Sequence, residues 1–208
     1  MPDRPARPPA RGRAAAPRII AGAWRGRRLA TPAGLGTRPT AERVRQALFD
    51  MLVHAPWAHA PSPGFPAGGH GAIEGALVLD AFAGTGALGL EALSRGAAEA
   101  VFLERDPAAL SVLRANLAAC GAGARARVLP GEVRAAPQGS ARGLVFLDPP
   151  YGEGLIGPAV AHLAARGWIA VGTLVVAETG RAEVSPALGE LLAERTHGAA
   201  RISVWRFG

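Results

Sequence analysis

The sequence predicts an α/β domain, doubly wound around a mostly parallel sheet of seven strands, preceded by an N-terminal β-hairpin and helix. Three observations carry this prediction. From residue 76 onward, short unbroken apolar runs alternate with helical patterns, as strands buried on both faces and linked by crossover helices require. The first of these runs leads straight into a glycine-rich turn, Gly84-Thr85-Gly86-Ala87-Leu88-Gly89. The chain has 208 residues, 49% of them hydrophobic, which suffices for one cored domain with an extension.

Residues 1–17 are Pro, Arg and Ala without periodicity, and a disordered lead-in is expected there. Residues 18–54 read as a basic front. Arg18-Ile19-Ile20-Ala21-Gly22 and Trp24 to Leu29 suggest two short strands around a tight turn with arginines projecting. Thr40 offers an N-cap, and Val44, Leu48 and Leu52 repeat at helical spacing, so a helix is expected over 41–53. Residues 55–75, rich in Pro, Gly, His and Ala, read as a loop. The main domain, 76–208, opens with strand Ala76 to Asp80, followed by helix Ala87 to Ser94 and strand Ala100 to Glu104. Pro107 to Cys120 is a helix with proline in its first turn and Gly121 just past its end. Strands follow at Ala126 to Leu129 and Leu144 to Leu147, then a helix around 155–165 and a strand from Leu174 to Glu178. Glu194 to His197 and Arg201 to Phe207 complete the strand set.

The formal charge of +7 is unevenly distributed. Eleven arginines against Asp3 and Glu42 make residues 1–45 +9, whereas twelve arginines against fourteen acids leave the remainder at −2. Arginine without lysine is what a GC-rich genome writes anywhere, but that bias does not segregate charge. A basic arm on a near-neutral body points to a polyanion, nucleic acid before membrane. Cys120 is the only cysteine, so no internal disulfide forms; it reads as a buried thiol at a helix end. The Arg-rich N-terminus has no apolar segment behind it, and no eighteen apolar residues run together. A soluble, cytoplasmic protein, acting as a monomer, is expected.

Two motifs carry chemistry. Glycines directly after the first strand let the backbone turn sharply and let a ligand reach main-chain N–H groups at a helix start. Glu104, twenty residues beyond Gly84, ends the second strand, where an acid accepts hydrogen bonds from both hydroxyls of a ribose. This placement serves NAD and S-adenosylmethionine equally. The second motif is Asp148-Pro149-Pro150-Tyr151, at the C-terminal end of strand Leu144 to Leu147. Hydride transfer has no use for it, but methylation of an exocyclic amine does. The amine's lone pair is delocalised into its ring, so it is a poor nucleophile. The Asp148 carboxylate and the Pro149 carbonyl can each accept one of its N–H groups and turn the lone pair outward. The prolines stiffen the loop, and Tyr151 supplies a flat face for a base.

In these motifs the chain resembles class I, S-adenosylmethionine-dependent N-methyltransferases, and more narrowly the RsmD family, which methylates N2 of guanine-966 in 16S ribosomal RNA. The resemblance rests on Arg18 to Arg27, on Arg38-Pro-Thr-Ala-Glu-Arg-Val-Arg45 with Leu48-Phe49, on Asp80 to Ser94 and on Asp148 to Tyr151. It implies a Rossmann-like class I fold and S-adenosylmethionine as cofactor, leaving S-adenosylhomocysteine. The implied partner is 16S rRNA, within a 30S subunit or its assembly intermediate. Asp80, Phe82, Gly84 and Gly86 are implied on the methionine side of the cofactor, Glu104 at the ribose with Arg105 beside it, and Glu132 with Val133 near the adenine. Asp148 and Pro149 would grip the guanine amine and Tyr151 would stack on its ring. Arg18, Arg25, Arg27, Arg28, Arg38, Arg43 and Arg45 would contact RNA phosphates. The stretch 55–75 is longer than the family's pattern, and no role is expected for it.

Other readings explain less. DNA adenine-N6 methylation shares the chemistry, but no stretch is long enough for a separate sequence-reading domain. Protein glutamine methyltransferases carry Asn where Asp148 stands. An NAD-dependent oxidoreductase leaves Asp148 to Tyr151 unused, and a non-catalytic RNA-binding module leaves both motifs idle. His54, His59 and His70 lack a carboxylate or thiol to complete a zinc set and read as solvated loop residues. Trp24 either stacks on a base or packs on the body. Ser94 and Ser140 sit in no nucleophile elbow.

Overall fold

The computed structural model describes residues 16–32, 39–59 and 71–208. Most of the expected lead-in, Arg38, His70 and the centre of the 55–75 loop lie outside the described residues.

The strand runs pair as their apolar character requires. Strands β1 (Leu77–Asp80), β2 (Glu99–Glu104), β3 (Ala126–Pro130), β4 (Leu144–Leu147) and β5 (Leu174–Gly180) are parallel, while β6 (Gly189–His197) and β7 (Ala200–Phe207) form an antiparallel hairpin. The sheet order is β3-β2-β1-β4-β5-β7-β6. The chain builds outward from β1 through β2 to β3, then returns to lay β4 on the other side of β1. That reversal opens a crevice at the C-terminal ends of β1 and β4, where doubly wound sheets bind ligands. Strand β6 begins five residues earlier than its sequence pattern suggests, because its pairing with β7 extends to Gly189↔Phe207 through an irregularity at Leu191/Ala193.

Helices α1 (Pro39–His54), α2 (Ala87–Ser94) and α3 (Pro107–Cys120) contribute to one hydrophobic core and α4 (Ile156–Ala165) to the other. Helix α1 starts at Pro39, whose fixed φ suits a first turn, so Thr40 lies inside the helix rather than capping it. In α3 the Asp106 carboxylate accepts the Ala109 N–H at 2.7 Å, Pro107 follows it, and Gly121 closes the helix at φ 65°. Cys120 is buried at that helix end, and burial pushes its thiol up, away from nucleophilic thiolate.

The front of the chain forms the expected hairpin in a shortened form. One antiparallel bridge, Arg18↔Arg28, stands where two strands were expected. Around it Ile19 donates to the Arg27 carbonyl at 2.9 Å, Gly26 to the Ile19 carbonyl at 2.8 Å and Leu29 to the Pro17 carbonyl at 2.7 Å, whereas the main-chain donors nearer the turn go to α2. Ile20 and Ala21 donate to the Glu91 carboxylate at 2.7 and 3.0 Å, Ala23 to the Ser94 carbonyl at 2.8 Å, and Trp24 to Ser94 Oγ at 2.9 Å. Ile19 and Leu29 join Val44, Leu48, Phe49 and Leu52 in the core shared with Val78, Leu90 and Phe102. Trp24 packs against this core under the Arg125 guanidinium, 5.2 Å from its ring centroid.

Gly22 permits this docking. Its φ is +80°, and a Cβ there would lie 1.8 Å from the Ser94 carbonyl oxygen. Gly22→Ala is expected to lift the segment from α2 and destabilise the protein by about 2 kcal/mol or more, read as a lowered midpoint in urea unfolding.

Candidate active site

Strand β1 ends at Asp80, on the sheet face that packs against α2. The residue is 2% exposed, and Oδ2 accepts the Gly89 N–H at 2.9 Å. Burial pushes this carboxyl up to about 7; the Gly89 N–H opposes the shift and the Glu104 carboxylate adds to it. The turn above it is built on Gly86, which starts α2 from the left-handed conformation at φ 79°. A Cβ on Gly84 would meet nothing within 4 Å, so the main chain there borders open space. Phe82 lies half-buried beside it, against the core on the opposite face of the sheet.

Glu104, at the end of β2, points back to the same turn. Oε2 accepts the Gly84 N–H at 2.7 Å, and Oε1 accepts the Arg105 and Asp106 N–H groups at 2.8 Å each. Three donors fix the carboxylate and leave about one of its four acceptor positions for a ligand hydroxyl. Arg105 and Glu132 are exposed and pair with each other at 2.6 Å across the ends of β2 and β3, and the Arg105 hydrogen bond holds Glu132 below the usual carboxylate range. Val133 is buried in the core beneath them. A buried acid, a second acid fixed at a strand end and an open glycine turn make an acidic cradle. These residues fit a cationic nucleoside cofactor such as S-adenosylmethionine.

Asp148 and Pro149 follow β4 across the crevice from Asp80. The register Leu147↔Ala177 between β4 and β5 places Asp148 beside Glu178, one step further along. Both residues line a cavity of about 490 Å³ with Tyr151, Arg45, Leu48, Leu88, His197 and Ile202, so α1, the start of α2 and the β6–β7 turn wall it. Asp148 is exposed at the cavity wall, and the protein packed around it, then the Glu178 and Asp80 carboxylates, push its carboxyl above the usual carboxylate range. Its outer surface remains open to solvent, so a base laid over it completes the desolvation. Pro149 is buried, and Tyr151 is 48% exposed with its hydroxyl donating to Glu178 Oε1. The Gly152 N–H donates to Glu183 Oε1 at 2.8 Å, which pins the far side of the same loop. Burial and the bond to Glu178 push the Tyr151 phenol up, so it is neutral and holds its ring in place.

The basic residues divide. Arg18, Arg25 and Arg43 line a second cavity of about 550 Å³ on the other flank of α1, where Arg18 also pairs with Glu42 at 2.7 Å. Arg27 and Arg28 are exposed beyond the turn. Arg45 is a correction to the expected phosphate contacts: it is 7% exposed, its NH2 donates to the Arg18 carbonyl at 2.6 Å, and its Nε lies 4.0 Å from Glu91. It anchors the front segment and lines the Asp148 cavity, and does not project from the surface with the other arginines. Glu91, which the sequence reading did not single out, accepts Ile20, Ala21 and Arg95 from a fully buried position. Glu178 was likewise missed, although it ends an apolar run just as Asp148 does. His59 Nδ1 accepts the Gly71 N–H at 3.3 Å, and no group of three metal-ligating side chains occurs among the described residues. No helix among them is long and apolar enough to cross a membrane.

Comparison with known proteins agrees with this geometry. A family described as conserved hypothetical protein 95 matches residues 17–206. The ribosomal RNA small subunit methyltransferase D of Escherichia coli is 42% identical over 164 residues, covering 78% of this chain and 74% of that protein. Its namesake from Haemophilus influenzae is 35% identical over 188 residues, covering 87% and 89%. Among solved structures, the Escherichia coli protein yhhF superimposes with a TM-score of 0.74 at 37% identity, covering 93% of this chain and 98% of that one. An rRNA methyltransferase from Streptomyces viridochromogenes, 18% identical with a TM-score of 0.61 over 86% and 88% of the two chains, shares the fold. With the match spanning nearly the whole length and the motifs sitting at the switch point, the chain belongs to the conserved hypothetical protein 95 family, the RsmD-type methyltransferases that its motifs resemble.

Proposed function

We propose that this protein methylates the exocyclic N2 amine of a guanine in 16S ribosomal RNA, guanine-966 by the family resemblance, within a 30S subunit or its assembly intermediate. The observation that carries the reading is Asp148, exposed at the end of β4 in the wall of a cavity of about 490 Å³ and next to the acidic cradle of Asp80 and Glu104. Relatives named as ribosomal RNA small subunit methyltransferases support the substrate class.

When bound, S-adenosylmethionine supplies an electrophilic methyl group on a sulfonium. Asp80 and Glu104 would hold the cofactor through its cationic and ribose portions, with Phe82, Gly84 and Gly86 around the turn and Arg105, Glu132 and Val133 toward the adenine. The Asp148 carboxylate and the Pro149 carbonyl each accept one N–H of the guanine amine, which frees the nitrogen lone pair. Tyr151, its hydroxyl tied to Glu178, offers its ring to the base; stacking of this kind contributes about 1–3 kcal/mol. Positioning and fixed charge supply most of the acceleration. The target base must leave its stack, which costs least in a loop. Arg18, Arg25 and Arg43 in the second cavity, with Arg27, Arg28 and Arg38, supply a salt-dependent hold on phosphates.

The raised carboxyl of Asp80 makes cofactor binding pH-dependent. Its folded value lies above its unfolded one, so in the ligand-free protein it contributes stability below about pH 4 that is lost as pH rises through about 7. A cation binds the ionised form, so affinity for S-adenosylmethionine is expected to rise by up to about tenfold per pH unit between pH 5 and 7 and then level. Calorimetric titration of wild type and Asp80→Asn checks this, the variant losing the slope. The proposed function itself is tested by offering labelled cofactor to purified 16S RNA, assembled small subunits and DNA. Incorporation into ribosomal RNA is expected; incorporation into DNA alone, or binding of NAD(H) without S-adenosylmethionine, overturns it.

A further inference from the structure

We infer that Glu178 is the residue that selects guanine, by accepting the ring N1–H of the target base while Asp148 and Pro149 hold its amine; this rests on the methylation of a base amine proposed above. Three features of the cavity carry the inference. The β4–β5 register sets Glu178 next to Asp148, so two carboxylates face one space from adjacent strand ends. Glu178 Oε1 accepts the Tyr151 hydroxyl, whereas its Oε2 takes no hydrogen bond among the described residues, which leaves an acceptor beside the ring on which the base stacks. Val44, Leu48, Leu88, Val176 and Ile202 make much of the wall apolar. Of the polar side chains that share it, Asp148 and Glu178 are the two carboxylates, the acceptors that ring and amine N–H groups require, whereas Arg45 offers only donors.

Base chemistry then decides the fit. In adenine and cytosine the amine adjoins a ring nitrogen that is an acceptor, N1 or N3. In guanine it adjoins N1–H, a donor. A pair of neighbouring carboxylates therefore meets two adjacent donors in guanine, but one donor and one lone pair in adenine or cytosine, where Glu178 would repel the ring nitrogen. Without a base, the two acids repel each other, consistent with the raised carboxyl of Asp148. The guanine edge replaces that repulsion with N–H donors. Glu178 lies on the β5 side of Asp148, away from the β1 turn, so it is placed to read the base and not the cofactor.

The test uses small subunits reconstituted with 16S RNA whose mapped target guanine is replaced by 2-aminopurine, which keeps the amine but has an acceptor at N1. Wild type is expected to prefer guanine over 2-aminopurine by about 10- to 100-fold in kcat/KM. In Glu178→Gln the amide can turn its NH2 toward the 2-aminopurine N1, so this preference is expected to shrink to within a few-fold while cofactor affinity is unchanged. A wild-type preference below about threefold overturns the inference without recourse to any variant. So does an unchanged preference in Glu178→Gln, or equal loss of both activities. Wild type that methylates no guanine amine at all overturns the proposed function instead, which the mapping of its product on unmodified subunits reveals.

Discussion

Asp148→Asn is expected to lower methyl transfer to ribosomal RNA by about 10³-fold while S-adenosylmethionine binds within a few-fold of wild type. The substitution is nearly isosteric, so the loop between β4 and α4 keeps its shape, with Gly152 still donating to Glu183. What changes is the character of the group facing the amine: an amide that presents its NH2 opposes the N–H it must accept, and one that presents its oxygen carries no charge. The cofactor cradle of Asp80, Gly84 and Glu104 lies on β1 and β2 and is untouched. The pH profile gives a second readout. Because desolvation and the neighbouring acids raise Asp148, a share of it is protonated near neutrality, and that form holds the amine less strongly, having lost its charge and turned one acceptor oxygen into a donor. The wild-type rate therefore climbs as pH rises through that raised value, whereas the residual Asp148→Asn rate lacks this dependence. Single-turnover assays across pH on both proteins check the two expectations together.

Glu91→Ala is expected to be the most destabilising single change, by about 3–5 kcal/mol, a large part of the roughly 5–15 kcal/mol that holds a domain folded. Glu91 is fully buried, bonds Arg95 Nε at 2.7 Å and faces Arg45 Nε at 4.0 Å. Arg45 Nε and Arg95 NH2 are buried without a hydrogen-bond partner, so both guanidiniums depend on the Glu91 charge. Burial already lowers the affinity of Arg45 for its proton, and Glu91 is the main counterweight. Alanine leaves two desolvated cations and strips Ile20 and Ala21 of their acceptor. Chemical unfolding measures the loss, and hydrogen exchange at Ile20 and Ala21 is expected to accelerate more than exchange in β1.

The contrast between these residues explains what was legible in the sequence. The apolar runs at Leu77–Asp80 and Leu144–Leu147 need no tertiary information, because a strand buried on both faces must be apolar throughout. The glycine turn and Asp148 to Tyr151 are likewise local, since each occupies the end of such a run. The hairpin at 18–29 is present but short, because the donors of Ile20, Ala21 and Trp24 bond to a helix about 70 residues away, which no local pattern encodes. Arg45 was assigned to RNA by its charge. Its spacing of four and seven from Phe49 and Leu52 puts it on the buried face of α1, a signal present in the sequence but outweighed by the basic character of its neighbours. Glu91 sits among Leu90, Ala92 and Leu93, and a carboxylate in an apolar helix demands a buried partner. Glu178 becomes visible only through the register that brings two acid-terminated strands side by side. The charge asymmetry resolves in the same way: part of the basic front faces outward around the second cavity, while Arg45 fastens that front to the body.

The most direct measurement of the central claim is nucleoside mass spectrometry of 16S ribosomal RNA after incubation of small subunits with the wild-type protein and methyl-labelled S-adenosylmethionine. The label is expected in N2-methylguanosine at a single position, and to be absent when Asp148→Asn replaces wild type. Label in N6-methyladenosine, or in any nucleoside methylated on a ring nitrogen or a ribose, would contradict the assignment of this cavity to a guanine amine.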